Sequence, residues 1–290
     1  MAQYLTRARE TGIVRIQIID PTNACTRLES SLRKATGVNR ITVIPNPHGS
    51  GILTQRAVAG AAAEFLAGNL KDGDTLGLAW GRTTAAVVDQ LIPTRGRQID
   101  VVPLMGESGH SGLHSQMSQM VMQAAERLRA KAHFLSLPMV VSSVQLCKAL
   151  LKEAGVSEVI KHWDNVRFAC LGIGVVPPVP GMIAYIGEEH LPRLVAAGAV
   201  CDMCGIYFNR EGKIIKTGIE DQTIAVSLNQ LKAIDCVVGV ACGEDKGVSV
   251  LGALRTGLLS ALFIDQAMAE QILEQLKPAS FAMNRAGEPI

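Results

Sequence analysis

Gly77-Leu78-Ala79-Trp80-Gly81-Arg82-Thr83-Thr84 ends an uncharged run in a tight turn, and the residues that follow carry a helical pattern. Far downstream, Gly239-Val240-Ala241-Cys242-Gly243-Glu244-Asp245-Lys246 repeats the design. In both stretches an apolar, strand-like segment meets glycine and then polar or charged residues. This is the signature of a parallel strand handing over to a helix. A helix start leaves backbone N–H groups free and carries a partial positive charge, so each corner is suited to a phosphate or a sugar oxygen. Small-molecule binding is the leading expectation.

Outward from these corners the same alternation continues. Strands are predicted at 13–19, 41–44, 75–79, 99–104, 133–136, 166–173, 236–241 and 259–264. Helices are predicted at 25–35, 52–67, 84–91, 116–131, 144–152, 188–197, 246–256 and 267–276, with the tail of a short helix at 5–10. Ile206-Tyr207-Phe208 followed by Asn209-Arg210-Glu211-Gly212-Lys213 reads as a hairpin. Strand and helix in this order give an α/β fold, a doubly wound, mostly parallel Rossmann-like sheet whose ligands sit beyond the carboxyl ends of the strands.

Composition agrees. Of 290 residues, 48% are hydrophobic and 19% charged, enough to bury a large core. Aromatics are only 4%, so the core is aliphatic, as in a sheet covered on both faces. The net charge of +2, with acids and bases interleaved, excludes the basic stripe of a free-standing nucleic-acid binder. The uncharged run from 168 to 187 is broken by Pro177, Pro178 and Pro180 and is no membrane span. The charged first ten residues do not form a signal peptide, which makes the cytoplasm the expected location.

Seven cysteines, several in apolar strand-like runs, read as reduced and buried thiols. Cys201-Asp202-Met203-Cys204 is a CxxC without a second pair at zinc spacing. His110 and His114 could hold a metal, but no further ligand accompanies them and a solvated loop is the simpler reading. The sequence therefore calls for no metal and no cofactor. At the corners, Gly81-Arg82-Thr83-Thr84 could be a plain turn with a threonine cap. Lys246 is the more telling residue, because a cation in a first helical turn is unfavourable unless an anion compensates it. Trp80 fits either a sugar-stacking or a core position.

Taken in order, LxWGxTT at 78–84, an LxGG-like turn at 104–109, GIG at 172–174, GAVxDxxGxYFxxxG at 198–212 and GVAxGxxKxxxxxxALRxGxxxxLxxD at 239–265 resemble the effector-binding domain of SorC-type bacterial sugar-operon regulators. The resemblance spans nearly the whole chain. It implies a fold similar to sugar-phosphate isomerases and glucosamine-phosphate deaminases, and ligands that are phosphorylated sugars or related metabolites. It implies that residues 1–12 are the remnant of a helix-turn-helix DNA-binding domain and residues 13–290 the effector-binding domain. Carried over, Gly81, Arg82, Thr83 and Thr84 form the phosphate-side loop, with Gly106, Glu107 and Gly243 in the neighbouring loops. Asp202 contacts sugar hydroxyls and Lys246 pairs with the phosphate.

Glu107 stands where the family has the second glycine of its turn, bringing a carboxylate toward the anion site. Cys201 and Cys242 stand where glycine is usual. These departures admit an unphosphorylated or differently charged ligand beside a phosphorylated one. The expected function is effector sensing without catalysis. Operator DNA would be reached only through an N-terminal helix-turn-helix that this chain largely lacks, and the family implies a homodimer or homotetramer. The alternative is a sugar-phosphate isomerase or deaminase on the same fold, which would need a carboxylate base and an acid that relays the proton.

Overall fold

A computed structural model describes residues 24–46, 51–93, 98–107, 117–176, 186–243 and 245–276. The expected helix tail at 5–10, the strand at 13–19, His110 and His114 lie outside these residues. Seven strands form one all-parallel sheet in the order β1 (Arg40–Ile44), β11 (Ala261–Asp265), β10 (Cys236–Val240), β5 (Val166–Gly172), β2 (Thr75–Leu78), β3 (Asp100–Pro103) and β4 (Lys131–Ala132). Every residue of β2 and β11 is buried, which is why these segments read as continuous apolar runs.

The connections run in two directions. From β1 the chain crosses through α2 (Ile52–Asn69) to β2, through α3 (Arg82–Val88) to β3 and through α4 (Met117–Leu128) to β4. It then returns to β5 and moves the other way, from β10 through α9 (Gly247–Arg255) to β11 and α10 (Gln266–Leu276). Right-handed crossovers in opposite directions place the helices on opposite faces. Accordingly α2 packs on α3 and α3 on α4, while α10 packs on α9 and on α1 (Ala24–Thr36). The strand order therefore reverses between β2 and β5, and a doubly wound sheet opens its crevice at that switch.

The two borders of the sheet are short or guarded. β4 contributes two residues only. On β1, the Val43 N–H donates to the Glu29 carboxylate of α1 (2.9 Å).

Between β5 and β10 the chain adds a four-stranded antiparallel sheet, β6 (Gly174–Val175), β7 (Cys201–Met203), β8 (Ile206–Phe208) and β9 (Ile214–Ile215). Cys201, Met203 and Phe208 join the main core, and Tyr207 joins a small second core with Val176, Ile186, Leu194, Ala199 and Ile219. Only the β8–β9 hairpin of this sheet was expected.

Three further differences are local. The strand expected at 133–136 is β4, two residues earlier, and its hydrogen bonding to β3 runs from Lys131 N–H on Ile99 O (2.8 Å) to His133 N–H on Val101 O (2.9 Å). A helix at Ala154–Lys161 was not expected; it buries no residue fully but lays Val156, Val159 and Ile160 half-buried against the main core. The helix expected from 188 starts at Leu191, where Pro192 occupies the first turn, a position that tolerates proline. No helix among the described residues is long and apolar enough to cross a membrane.

Candidate functional site

The first corner leaves β2 with Ala79 N–H bonded to Cys170 O on β5 (3.0 Å), which holds the turn against the middle of the sheet. Gly81 has φ 150° and ψ 152°, a region that is essentially glycine's own. Its carbonyl accepts from Ala85 N (2.8 Å) and opens α3. The result exposes Arg82 and buries Thr83 and Thr84. The Thr84 hydroxyl is fully enclosed and has no partner among the described residues. A buried hydroxyl left unpaired costs roughly 1–3 kcal/mol, so it is a group with an unmet need.

The second corner leaves β10 with Ala241 N–H bonded to Phe263 O of β11 (3.0 Å). Gly243 (φ 112°) and Asp245 (φ 68°) both take left-handed backbone, which glycine accepts freely and aspartate more readily than most residues. Asp265, fully buried at the end of β11, accepts from Gly243 N with Oδ2 (3.1 Å) and from Met268 N with Oδ1 (2.9 Å). One carboxylate thus splints the corner and serves the start of α10. Burial, and then the same carboxylate, push the Cys242 thiol up to about 12 and keep it protonated.

Lys246 stands at the N-cap of α9, half-buried. Its pKa is held below the usual lysine value, first by burial and then by the charge of Arg82. A repulsive guanidinium at effective range means that the two corners face each other. Among the described residues neither Arg82 nor Lys246 is in an ion pair. The two cations stand at corners on either side of β5, where the strand order reverses, and neither has an ion-pair partner among the described residues.

Asp202 is reached through β5 and β6. A Cβ on Gly172 would lie 3.7 Å from Thr84 Oγ1, and one on Gly174 would lie 3.0 Å from Asp202 Oδ2 and 3.2 Å from Asp202 Cβ. The Gly-Ile-Gly segment therefore threads between the two side chains, and at 174 only glycine fits without displacing Asp202. Oδ1 of Asp202 accepts from Gly205 N (2.8 Å), within a two-residue hairpin loop whose Cys204 and Gly205 have φ 55° and 74°. Burial pushes Asp202 up to about 7 against the opposing pull of that amide. Tyr207 lies directly across the strand pair, and its hydroxyl is buried without a partner among the described residues. Burial, and then the charge of Asp202, raise its pKa well above 10.0, so it stays a neutral donor.

Gly106 and Glu107 are committed within the protein. Gly106 N donates to Ile224 O (2.9 Å) and Glu107 N to Leu137 O (2.7 Å). The Glu107 carboxylate accepts from Met117 N (2.7 Å), Ser118 N (2.9 Å) and the Ser118 hydroxyl, and so occupies the start of α4 as a built-in anion. Its expected approach to the anion site takes this form. Of the remaining candidates, Cys201 and Cys204 are buried thiols with raised pKa values, Cys201 at about 12, and Trp80 is half-buried against the main core. Sequence reasoning passed over Asp265 and Tyr207. Asp265 could have been found as the last residue of an otherwise apolar strand, where an acid must have a partner; Tyr207 carried no such signal.

Fold and corners together describe an α/β domain in which Arg82 and Lys246 flank β5 at the reversal of strand order and Asp202 is buried on the adjoining antiparallel sheet. The chain belongs to the Sugar-bind family, whose sugar-binding domain matches residues 20–274. Among curated proteins it is 28% identical to the deoxyribonucleoside regulator of Bacillus subtilis (strain 168) over 280 residues, covering 95% of this chain and 88% of that one. It is 26% identical to the sorbitol operon regulator of Klebsiella pneumoniae over 282 residues, covering 94% and 88%. The crystal structure of the full-length sorbitol operon regulator SorC from Klebsiella pneumoniae superposes with a TM-score of 0.84 at 26% identity, over 94% of this chain and 88% of that one. A DeoR family transcriptional regulator from Listeria monocytogenes gives 0.77 at 28% identity, over 86% and 100%. The SorC-type kinship expected from the motifs holds across the domain, and these relatives are transcriptional regulators.

Proposed function

We propose that this chain is the effector-sensing domain of a SorC-like transcriptional regulator and binds a phosphorylated sugar or a related metabolite. The observation that supports the reading is that Arg82 and Lys246, 164 positions apart in the chain, lie at corners on either side of β5, feel each other's charge and have no ion-pair partner among the described residues. A dianionic phosphate between them offsets their mutual repulsion, with Gly81, Thr83 and Gly243 shaping the loops around it. The buried Thr84 hydroxyl, Asp202 and the Tyr207 hydroxyl then offer both donors and acceptors to sugar hydroxyls. Gly106 and Glu107 form a fixed rim, since their amides and the carboxylate are already engaged.

Binding acts through populations: a ligand that favours one arrangement of the two corners shifts the domain toward it, and subunit packing follows. Operator contact is assigned to a helix-turn-helix, the last helix of which residues 1–12 resemble. The enzyme reading has less support. It needs a carboxylate base and a proton-relaying acid; Glu107 and Asp202 could supply carboxylates, but Glu107 is engaged at a helix start. Sensing needs no turnover, and we place the protein in the cytoplasm as a homo-oligomer.

Thermal shift and turnover assays with a panel of sugar phosphates and their unphosphorylated parents test the proposal. Stabilisation by a sugar phosphate without product formation is expected, and Lys246→Ala should weaken that ligand by more than about tenfold. Product formation at enzyme-like rates, or an unchanged affinity in the variant, would sink it.

A further inference from the structure

The amino-end edge of the sheet carries a second constellation, unrelated to the crevice. Asp100 opens β3, His133 follows β4 directly, and His162 begins the 3-10 turn His162–Asn165 that leads into β5. His133 Nε2 lies 2.6 Å from Asp100 Oδ1, and the two imidazole rings stack with centroids 3.9 Å apart at 44°. One nitrogen from each histidine and one carboxylate oxygen all lie within 4.8 Å of one another.

We propose that Asp100, His133 and His162 form a binding site for a divalent transition-metal ion, zinc above all. Two imidazoles and one carboxylate are a donor set that such ions favour over magnesium or calcium, which seek all-oxygen sites. Donors around a tetrahedral zinc, at about 2.0–2.1 Å from the metal, stand roughly 3.3 Å apart. Side-chain rotations of about 1 Å within the present cluster reach that spacing, with a water completing the shell. Of the charged neighbours, Glu158 favours a cation there and Lys131 opposes one. All three ligands are half-buried, so the site is open to an ion from solution yet partly shielded.

The ion would be structural. β4 pairs with β3 through two residues only, and a metal held by Asp100, His133 and His162 would pin that weak border to β3 and to the turn that leads into β5. The location, on the far side of the sheet from Arg82 and Lys246, separates this role from effector binding.

The test is a cobalt(II) titration of the full chain under a non-thiol reductant, with zinc as competitor. One equivalent is expected, with the visible bands of a nitrogen and oxygen site of low coordination number, no thiolate charge-transfer band, and a zinc-dependent rise in Tm. His162→Gln should weaken binding by more than the roughly 10- to 100-fold typical of losing an outer partner of a ligand, while the double variant His110→Gln, His114→Gln keeps it. Circular dichroism checks that the first variant is folded; if it is not, Asp100→Asn, which keeps an oxygen for His133, is read in its place. Equal binding by wild type and the folded ligand variant, a thiolate band, or loss of binding in the double variant overturns the proposal.

Discussion

Asp202 and Lys246 illustrate how single residues reveal a binding site through the penalty they carry in its absence. Asp202 has an ordinary value of 3.8 and is pushed to about 7 in the fold. Because the folded value is raised, the cost of burying its charge is fully present above about pH 7 and disappears as the pH falls toward 3.8. Asp202→Asn keeps an acceptor for Gly205 N and removes the charge. It should stabilise the unliganded protein by up to about 4 kcal/mol at pH 8, with the gain vanishing near pH 4, as read from denaturant melts across pH. A gain independent of pH would show that the charge is already compensated. For Lys246 the sign is opposite in form and alike in meaning: its lowered value means that the fold disfavours the cation, and a bound anion restores it. Lys246 was legible in the sequence because a cation at a helix start is a conflict visible within one turn. The isolation of the Thr84 and Tyr207 hydroxyls was not legible, since it depends on which distant segments close over them.

Among elements, α4 shows how one substitution reassigns a helix start. The helix beginning at Met117 takes the Glu107 carboxylate as its own anion, through two amides and one hydroxyl. Glu107→Ala should lower stability by about 1–2 kcal/mol in chemical denaturation, and Glu107→Gln by less, because an amide oxygen still accepts. Equal stability of both variants with the parent would mean that the cap contributes nothing. The long elements were legible for the usual physical reason: β5, β10 and β11 are mostly apolar, interrupted only by Arg167 near the start of β5 and Asp265 at the end of β11, and α2 is alanine-rich, so local pattern and burial agree. The small antiparallel sheet was not, apart from its hairpin. Strands of two or three residues hold too few side chains to display a period of two, and their pairing is set by packing on α9, where the Ser249 hydroxyl donates to Val200 O (2.7 Å).

Across the whole molecule, charge divides by edge. At the amino ends of the strands the charges are paired, with Arg167 bridging Asp74 (3.2 Å) and Asp235 (3.4 Å) and with His133 on Asp100. At the carboxyl ends Arg82 and Lys246 stand without partners among the described residues. Sites on opposite edges with no shared residue should act independently. The stabilisation by zinc and by a sugar phosphate should therefore add to within about 0.5 kcal/mol when both are present, and a larger departure would reveal coupling through the strands. The metal cluster was out of reach of sequence reading, because Asp100 and His133 are 33 positions apart and only the strand register makes them neighbours. The Glu29 carboxylate seated on the Val43 amide governs how copies of this chain can meet. A carbonyl from an incoming strand would find that one hydrogen already taken and a negative charge beside it, which disfavours ribbon-like growth at that point of the flank.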